Sequence, residues 1–485
     1  MQFTREINRL VIGLVILFSI VTLAAAYWAV IGPDTILKRE DNPRLVEAEA
    51  SILRGAIVDR NGNVLADSQK LDNGQVQRDY LFPAMYSALG YYSLRYGASG
   101  AESAFDPTLS GSGSGGSGGP GDTASTLLSS LLHRPQQGAD IQVTFDLNVQ
   151  QKIADAMKGQ HGAAVVLSVP DGAVLAMISL PTYDPNTLDQ NWDTLVKAPG
   201  NPFFNRVLQG NYQPGGALET PLMATAFLIN HSIDDTFAQA TDPVTLDKLQ
   251  LGCAVRLPSV TLSLREAYTF ACPRPFEVLA QDLGSETIRA TIDTFRLDQQ
   301  PTLSGFVSAP AATSLTPTAE ATAQSQSDLT LLALGQGTMT VSPLNMAMMA
   351  AAIVNDGNTP QPYVLMNTRA QNTPTWTPVQ AVRPSIPLAT SKTARQLQDL
   401  MRDAVANGAA QNAGRPNIDI GGHAAIAYSG DGSLAWFVGF ATFAGRKGAA
   451  VAIVLENSDD PGLASDIGGT ALAAAQVALT PTVNK

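Results

Sequence analysis

Few side chains in this 485-residue sequence have the types and spacing that metal chemistry requires. The chain contains two cysteines and four histidines, and no two histidines stand four residues apart or form an HExxH pattern. Two cysteines also exclude a zinc site of four cysteines. We therefore expect no metal site and no cofactor, so any catalysis must use ordinary nucleophiles, acids and bases. The histidines are His133, His161, His231 and His423.

The charge balance argues against nucleic-acid binding. Thirty lysines and arginines stand against 42 aspartates and glutamates, a formal net charge of -12, whereas nucleic-acid-binding proteins carry a basic surface. Charged residues make up 15% of the chain, below the roughly 25% of an average soluble domain. Hydrophobic residues make up 45%, which is enough to form packed cores, and the length favours two or three domains.

A long apolar segment near the N-terminus predicts a membrane anchor. Residues 10–31 carry no charge and are apolar almost without interruption, and about 20 such residues span a bilayer as a helix. Arg5 and Arg9 precede the segment, so the positive-inside rule predicts a cytoplasmic N-terminus. Tyr27 and Trp28 suit the opposite interface.

A cleaved signal peptide is the alternative, because residues 24–26 are three small alanines. The apolar segment is longer than the roughly 7–15 residues of a signal sequence, so we expect an uncleaved anchor. The sequence predicts that residues 1–33 form a cytoplasmic tail and a single membrane-spanning helix. The protein would lie in the cell membrane with the bulk of the chain extracytoplasmic.

The remaining chain divides into three predicted segments. Residues 34–110 form a small β-rich domain, in which apolar residues on both sides of Asn61-Gly62 predict a β-hairpin. Residues 111–139 contain a Gly/Ser repeat that is typical of a flexible linker. Residues 140–485 form a larger domain.

The larger domain shows strands at both ends with helices between them. This order predicts an α+β fold with an antiparallel sheet flanked by helices. The predicted elements are a hairpin around Asp171-Gly172, a Ser/Thr/Ala/Pro-rich loop at residues 310–328, a helix at 391–406, buried strands at 434–440 and 449–455, and an Ala-rich helix from about residue 463.

The sequence resembles the class B penicillin-binding proteins, the peptidoglycan D,D-transpeptidase family, over nearly its whole length. Six segments occur in the family's order, which argues against chance. They are RGAIVDRNG at residues 54–62, the glycine–glutamate segment at 96–102, the start of the transpeptidase domain at 139–150, SLPTYDPN at 179–186, GQG and VSPLNMA within 335–347, and AWFVGFA at 435–441. The resemblance implies a transmembrane helix, a pedestal domain at 34–110, and a transpeptidase domain of the serine β-lactamase-like fold.

The family's catalysis depends on three motifs, and the first is SxxK. Its serine attacks the D-Ala–D-Ala carbonyl, and its lysine helps to remove the serine's proton. Residues 212–215 resemble the segment that leads into this motif, which aligns Gly216 with the serine and Glu219 with the lysine. A register shifted by one residue aligns Ala217 and Thr220 instead. Neither register contains a serine–lysine pair.

The other two motifs are also altered. In the SxN motif, the resemblance places Ala271 where the family has serine and Pro273 where it has asparagine. In the KTG motif, it places His423, Ala424 and Ala425. The groups that relay protons and bind the substrate carboxylate are therefore replaced. Loss of a nucleophile alone costs on the order of 10⁶ in kcat in comparable enzymes.

Other residues could still supply chemistry. Glu219 and His423, if close, could form an acid–base dyad, although a hydrogen-bonded structural pair is the simpler interpretation. Thr220 and Ser429 are the alternative nucleophiles, and neither has a lysine placed to activate it. A carboxylate at position 219 would also repel the anionic end of the substrate.

Two structural pairings remain open. Some family members carry paired cysteines near the SxN loop, so the resemblance favours a disulfide between Cys253 and Cys272 in an exported domain, against two buried thiols. The charged hairpin residues, Arg54 among them, could contact a partner, and internal ion pairs within the hairpin are our expectation. We expect Glu102 to be a structural carboxylate between the domains.

The leading hypothesis is a membrane-anchored, catalytically inactive pseudo-transpeptidase that acts as a scaffold or regulator in cell-wall synthesis or cell division. The resemblance implies a polytopic glycosyltransferase partner and peptidoglycan stem peptides as candidate ligands. One alternative is an active D,D-transpeptidase with relocated catalytic residues. The other is a non-catalytic sensor of stem peptides.

Overall fold

The structure is a computed structural model that describes most of the chain. The described residues are 3–30, 49–72, 74–112, 137–246, 249–306, 326–371, 373–381, 383–430, 432–445 and 447–480. Most of the predicted linker at 111–139 and most of the predicted loop at 310–328 lie outside them.

The N-terminal helix α1 (Phe3–Val30) covers residues 10–30 of the predicted membrane-spanning segment. Within the described residues, it is the one helix whose length and hydropathy suit a membrane span, at Ile7–Ala25 with a mean hydropathy of 2.2. Its described side chains are exposed. Ser19 and Thr22 donate hydrogen bonds to the carbonyls of Val15 and Phe18, one turn earlier, so their hydroxyls are satisfied within the helix.

The small domain is built on the predicted hairpin. Strands β1 and β2 pair antiparallel, and Gly62 has a φ of +91° in the turn between them, so the hairpin prediction is confirmed. The elements of this domain are β1 (Ile57–Val58), β2 (Val64–Lys70), β3 (Val76–Tyr80), α2 (Tyr86–Leu89), β4 (Tyr92–Ser93), β5 (Gly97–Ala98), α3 (Gly100–Ala104) and α4 (Asp106–Ser110).

The small domain shares its sheet with the rest of the chain. Strand β6 (Asp140–Val143) pairs parallel to β1, and two later strands extend the sheet beyond β6. Hydrogen bonds therefore cross the boundary that we predicted at residue 140. Asn186 adds a second link, because its side chain accepts from the Tyr80 N–H and donates to the Tyr80 carbonyl.

A buried cluster of charges holds the small domain together. Glu102 is fully buried, and its carboxylate accepts from Arg54 at 2.9 Å and from Arg78 at 2.7 Å. Arg54 also contacts Asp106 at 2.6 Å. The expectation of ion pairs within the hairpin was therefore wrong for Arg54, and Glu102 lies inside the small domain rather than between domains. Asp59 accepts instead from backbone N–H groups of its own turn.

The larger domain has the predicted α+β architecture. Its helices are α5 (Leu147–Ala156), α6 (Leu188–Val196), α7 (Glu219–Leu228), α8 (Leu264–Thr269), α9 (Pro273–Thr294), α10 (Gln326–Ala333), α11 (Pro343–Val354), α12 (Ser391–Asn407) and α13 (Pro461–Leu479). Its strands are β7 (Gly162–Val169), β8 (Val174–Leu180), β9 (Thr236–Phe237), β10 (Val244–Leu246), β11 (Leu249–Leu251), β12 (Leu262–Ser263), β13 (Asn358–Thr359), β14 (Leu365–Arg369), β15 (Thr377–Pro378), β16 (Ile386–Pro387), β17 (Asp419–Ser429), β18 (Gly432–Phe443) and β19 (Lys447–Glu456).

The core of this domain is an antiparallel sheet of five strands in the order β17-β18-β19-β7-β8. The hairpin predicted around Asp171-Gly172 joins β7 to β8. Helices α5 and α13 pack together against the sheet, and α11 also packs against β7, β18 and β19. Strand β17 is an edge strand, and the segment at residues 215–218 that leads into α7 packs against it.

We predict that Glu102→Ala destabilises the protein by about 3 to 5 kcal/mol, because it leaves two buried guanidinium groups without their shared carboxylate. Chemical denaturation of the purified protein measures this change. Asp106→Asn is the matched control. The Asp106 side chain is 43% exposed, so its loss should cost less than about 1 kcal/mol. Equal losses in the free energy of unfolding of the two variants would contradict the assigned role of Glu102.

Candidate active-site cleft

A tight turn brings Gly216, which the resemblance aligns with the SxxK serine, against the edge of the central sheet. The turn is a 3-10 helix, Gly215–Leu218, that leads directly into α7. Gly215 has a φ of +53°, and a Cβ on it would lie 2.3 Å from the carbonyl oxygen of Ile426 in β17. Only glycine permits this approach. The turn is also held by a hydrogen bond from the Gly215 N–H to the Gly335 carbonyl.

Strand β17 presents alternate residues to this turn. Ala424 pairs with Phe437 and Ala425 with Trp436 in the register of β17 and β18. Residues 423 and 425 share one face, because side chains in a strand alternate. Ala425 lies on the cleft side, since a Cβ at Gly216 would be 3.0 Å from its side chain. Ala424 therefore points to the opposite face.

Glu219 and His423 are in contact, as the dyad interpretation requires. His423 Nε2 lies 3.2 Å from Glu219 Oε2 and 3.1 Å from the Gly216 carbonyl oxygen. Because a carbonyl can only accept, the Gly216 hydrogen bond requires the proton on Nε2. Both side chains are buried. Nδ1 of His423 has no hydrogen-bond partner among the described residues.

Tyr268 fixes the position of the histidine. Its ring stacks on the His423 imidazole with the centroids 4.2 Å apart and the planes at 17°. The Tyr268 hydroxyl is hydrogen-bonded to Thr220 Oγ1 at 2.9 Å. Thr220 is therefore a buried partner of a tyrosine, and it lies on α7 next to Glu219. The sequence analysis did not identify Tyr268, which forms no part of the three motifs.

Ala271, which the resemblance aligns with the SxN serine, lies at the end of helix α8. This helix begins with a capping box between Ser263 and Glu266. It ends with Ala271 at a φ of +48°, a conformation that usually selects glycine. The Cys272 N–H bonds back to the Ala267 carbonyl and completes the cap.

The structure joins Cys253 and Cys272 in a disulfide. The bond attaches the Ala271–Pro273 loop to the segment around residues 251–254, and the Ala254 N–H bonds to the Ala271 carbonyl. The disulfide therefore supports one wall of the cleft.

The cleft between these elements is small. Its volume is about 30 Å³, and Gly216, Glu219, Ala271, Pro273 and Ala425 are among the residues that line it. Sequence reasoning missed two further lining residues, Gln336 and Tyr428; Gln336 lies in the GQG segment. Gln336 Oε1 accepts from the Tyr428 N–H, while its Nε2 has no partner among the described residues. None of the described lining residues is serine, threonine, cysteine or lysine.

The buried Glu219 carboxyl has an altered acidity. Burial raises its pKa above the ordinary 4.5, and the contact with His423 opposes this shift without cancelling it. The folded protein therefore holds the Glu219 proton to a higher pH than the unfolded chain does. Below pH 4.5 both states are protonated, and stability is lost as the pH rises through the raised pKa.

We predict that Glu219→Gln becomes more stable relative to the parent protein as the pH rises from 4.5 to 8, because glutamine cannot ionise. Thermal melts of both proteins across this range measure the difference. Glu266→Gln is the control with opposite sign. Hydrogen bonds from Ser263 lower the pKa of the Glu266 carboxyl, so this variant should lose relative stability as the pH rises from 3 to 5. The prediction would be wrong if the parent protein instead became more stable relative to Glu219→Gln as the pH rises.

Two family profiles match the chain. The penicillin binding protein transpeptidase domain matches residues 162–477. The penicillin binding protein A dimerisation domain matches residues 54–141.

The proteins that are similar to this chain include peptidoglycan D,D-transpeptidases. The peptidoglycan D,D-transpeptidase PbpA of Mycolicibacterium smegmatis is 28% identical over 97% of this chain and 98% of its own length. The peptidoglycan D,D-transpeptidase MrdA of Escherichia coli K12 is 30% identical over 48% of this chain and 38% of its own.

Solved structures of penicillin-binding proteins have the same fold as this chain. Penicillin-binding protein A of Mycobacterium tuberculosis, in a ceftriaxone acyl-enzyme complex, matches with a TM-score of 0.76 and 27% identity over 89% of this chain and 99% of that one. The profile of the transpeptidase domain covers more than half of the sequence. The chain therefore belongs to the penicillin-binding protein transpeptidase family.

Proposed function

We propose that the chain is a membrane-anchored, catalytically inactive pseudo-transpeptidase that acts as a scaffold or regulator in peptidoglycan synthesis or cell division. The observation that carries the proposal is the contact of Glu219 with His423 beside Gly216. The resemblance aligns these three positions with the serine and the two lysines of the family's motifs.

The first support is the missing nucleophile. Gly216 has no side chain that could form an acyl-enzyme, and the described residues around the cleft offer neither a hydroxyl of serine or threonine nor a thiol. Thr220 is buried and bonded to Tyr268. Ser429 is exposed at the last position of β17, beyond the cleft. Neither observation favours a relocated nucleophile.

The second support is the charge and size of the cleft. The family's substrate ends in a carboxylate, whereas the cleft contains the carboxyl group of Glu219 and no lysine among its described lining residues. A volume of about 30 Å³ holds one or two water molecules. Sites for small organic ligands occupy several hundred Å³. The cleft therefore also gives little support to a stem-peptide sensor.

The third support is the retention of the non-catalytic parts. The N-terminal helix, the small domain and the sheet that joins it to the larger domain are all present. In the proposed topology the N-terminus is cytoplasmic and the two domains are extracytoplasmic. Within the family resemblance, the partner implied for these parts is a polytopic glycosyltransferase, and no nucleic acid is involved.

We predict that the full-length protein is not labelled by a fluorescent penicillin, because Gly216 provides no nucleophile. Gel fluorescence after incubation measures labelling, and penicillin-binding protein A of Mycobacterium tuberculosis serves as the positive control. Gly216→Ser should also stay unlabelled, since Glu219 cannot replace the lysine. A β-lactam adduct located by mass spectrometry at Thr220 or Ser429 would support the active-enzyme alternative and contradict the proposal.

We predict that affinity purification of the full-length protein from its native membranes recovers a polytopic glycosyltransferase. Recovery should persist in His423→Ala, because the cleft is not the contact surface, and should fall when residues 3–30 are replaced by an unrelated membrane-spanning helix. Quantitative mass spectrometry measures both. The scaffold interpretation would be wrong if His423→Ala no longer recovered the partner while the protein with the exchanged helix still did.

A further inference from the structure

A cluster of aromatic and apolar side chains lies on the surface where the β4–β5 hairpin of the small domain meets helix α6. The Tyr96 ring in the hairpin turn stacks on the Trp192 ring of α6, with the centroids 3.9 Å apart and the planes at 5°. Leu94 in the same turn is 42% exposed, and Val196, one helical turn after Trp192, is 52% exposed. We call these four residues the aromatic patch.

The hairpin turn that carries half of the aromatic patch is held in a fixed conformation. Ser93 Oγ accepts from the N–H groups of Arg95 and Tyr96, each at 3.1 Å. The Ser93 hydroxyl in turn donates to the Asp189 carboxylate of α6 at 2.6 Å, which ties the turn to the helix. A turn that is already fixed loses little conformational entropy when it meets a binding surface.

The composition of the aromatic patch is that of a membrane-interface contact. Isolated exposed leucines and valines are common on protein surfaces and need no explanation. Here two of them accompany a stacked tyrosine and tryptophan, and their sequence neighbours Arg95 and Lys197 are exposed. Tyrosine and tryptophan are enriched where proteins meet the headgroup region of a bilayer. Arginine and lysine extend their charged ends from apolar surface towards the lipid phosphates.

The charges around the aromatic patch balance one another. Asp189 and Asp193 are exposed on α6, and their formal charges cancel those of Arg95 and Lys197. The attraction to a membrane must therefore come from the apolar and aromatic surface rather than from a net positive charge. For this reason we expect the patch to contact zwitterionic lipids, and anionic lipids are not required.

The β4–β5 hairpin lies at the point where the chain arrives from helix α1. Residues 31–48 connect that helix to the small domain. Shortly after them, the Arg54 guanidinium lies over the Tyr92 ring, 3.9 Å from its centroid, and Tyr92 pairs with Ala98 in the hairpin. Burial raises the pKa of the Tyr92 hydroxyl, and the nearby charge of Glu49 raises it further. The start of the small domain therefore contacts the hairpin.

The length of this connection keeps the aromatic patch close to a bilayer that holds α1. A segment as long as residues 31–48 spans at most about 65 Å even when it is fully extended. Such a tether raises the effective concentration of the patch at the lipid surface, so that a weak contact is enough to hold it there. A protein partner from solution has no such advantage, and the lipid surface is therefore the favoured occupant.

We propose that the aromatic patch docks on the lipid surface of the membrane that anchors helix α1. Leu94 and Val196 enter the headgroup region, and the stacked rings of Tyr96 and Trp192 lie at the interface. Because the patch contains residues from both domains, the contact fixes the orientation of both domains relative to the bilayer. The proposal rests on α1 being a membrane anchor, and it does not depend on whether the cleft at Gly216 is active.

Fluorescence quenching of the full-length protein, with one copy in each phosphatidylcholine nanodisc, tests the contact. A thiol-reactive NBD fluorophore is attached to Leu94→Cys, and the two native cysteines do not react because they form a disulfide. Lipids with a doxyl group near the headgroup should lower the NBD fluorescence about twofold, since the label lies within the headgroup region. Val196→Cys should behave in the same way. Leu228→Cys, at an exposed leucine of α7 outside the patch, is the matched control and should not be quenched.

A second comparison changes the aromatic patch itself. Val196→Glu in the protein labelled at Leu94 should reduce the quenching about twofold or more, because a carboxylate loses hydration when it enters the bilayer boundary. Val477→Glu, at an exposed valine of α13 outside the patch, adds the same charge and should leave the quenching unchanged.

Three outcomes would overturn the proposal. They are no quenching at either Leu94→Cys or Val196→Cys, equal quenching at Leu228→Cys, and equal effects of Val196→Glu and Val477→Glu. Each disc holds one copy and no other protein, so quenching at the patch cannot come from a second copy or a partner. Co-elution with the nanodiscs tests the anchor separately, and melting temperatures show whether each variant is folded. The two labelled positions test the contact independently if one variant fails to fold.

Discussion

The close approach of the 215–218 turn to strand β17 is the constraint on which the cleft depends. Gly215 lies against the backbone of Ile426, and Gly335 lies against Gly215 from another side, each at a distance that excludes a Cβ. Helix α7 begins directly after the turn, so its first residue, Glu219, is placed beside His423. A side chain at position 215 or 335 would separate the turn from the sheet edge and disconnect the cleft's two walls.

Glu219 and His423, which the resemblance aligns with the family's two lysines, contact each other. A buried glutamate alone would be a carboxyl group without a polar neighbour, whereas the His423 donor is already satisfied by the Gly216 carbonyl. Here each contacts the other, and Nε2 also bonds to the Gly216 carbonyl. Tyr268 covers the imidazole ring. The two buried side chains are therefore in contact and packed under an aromatic ring, and neither of the two positions carries a lysine.

The sequence predicted those elements of the fold that are determined by neighbouring residues or that belong to the family's motifs. Both hairpins followed from Gly at a tight turn, and helix α12 followed from its apolar spacing and closing Gly408. It could not predict the ion pairs of Arg54, because Glu102 is 48 residues away. The stacking of Tyr268 on His423 is equally remote in the chain. No local pattern encodes such contacts, which depend on how the elements pack.

The cleft at Gly216 and the groove at the junction of the two domains differ in space rather than in how far their polar groups are satisfied. At the cleft, Glu219 Oε2, His423 Nδ1 and Gln336 Nε2 have no hydrogen-bond partner among the described residues. The space there is about 30 Å³, which admits little more than water. The groove, lined by Phe203, Asn205 and Gln209 among others, has a volume of about 200 Å³. The side-chain oxygens of Asn205 and Gln209 accept from backbone N–H groups, which holds both side chains in place before any ligand arrives. The groove therefore offers a ligand more room than the cleft does.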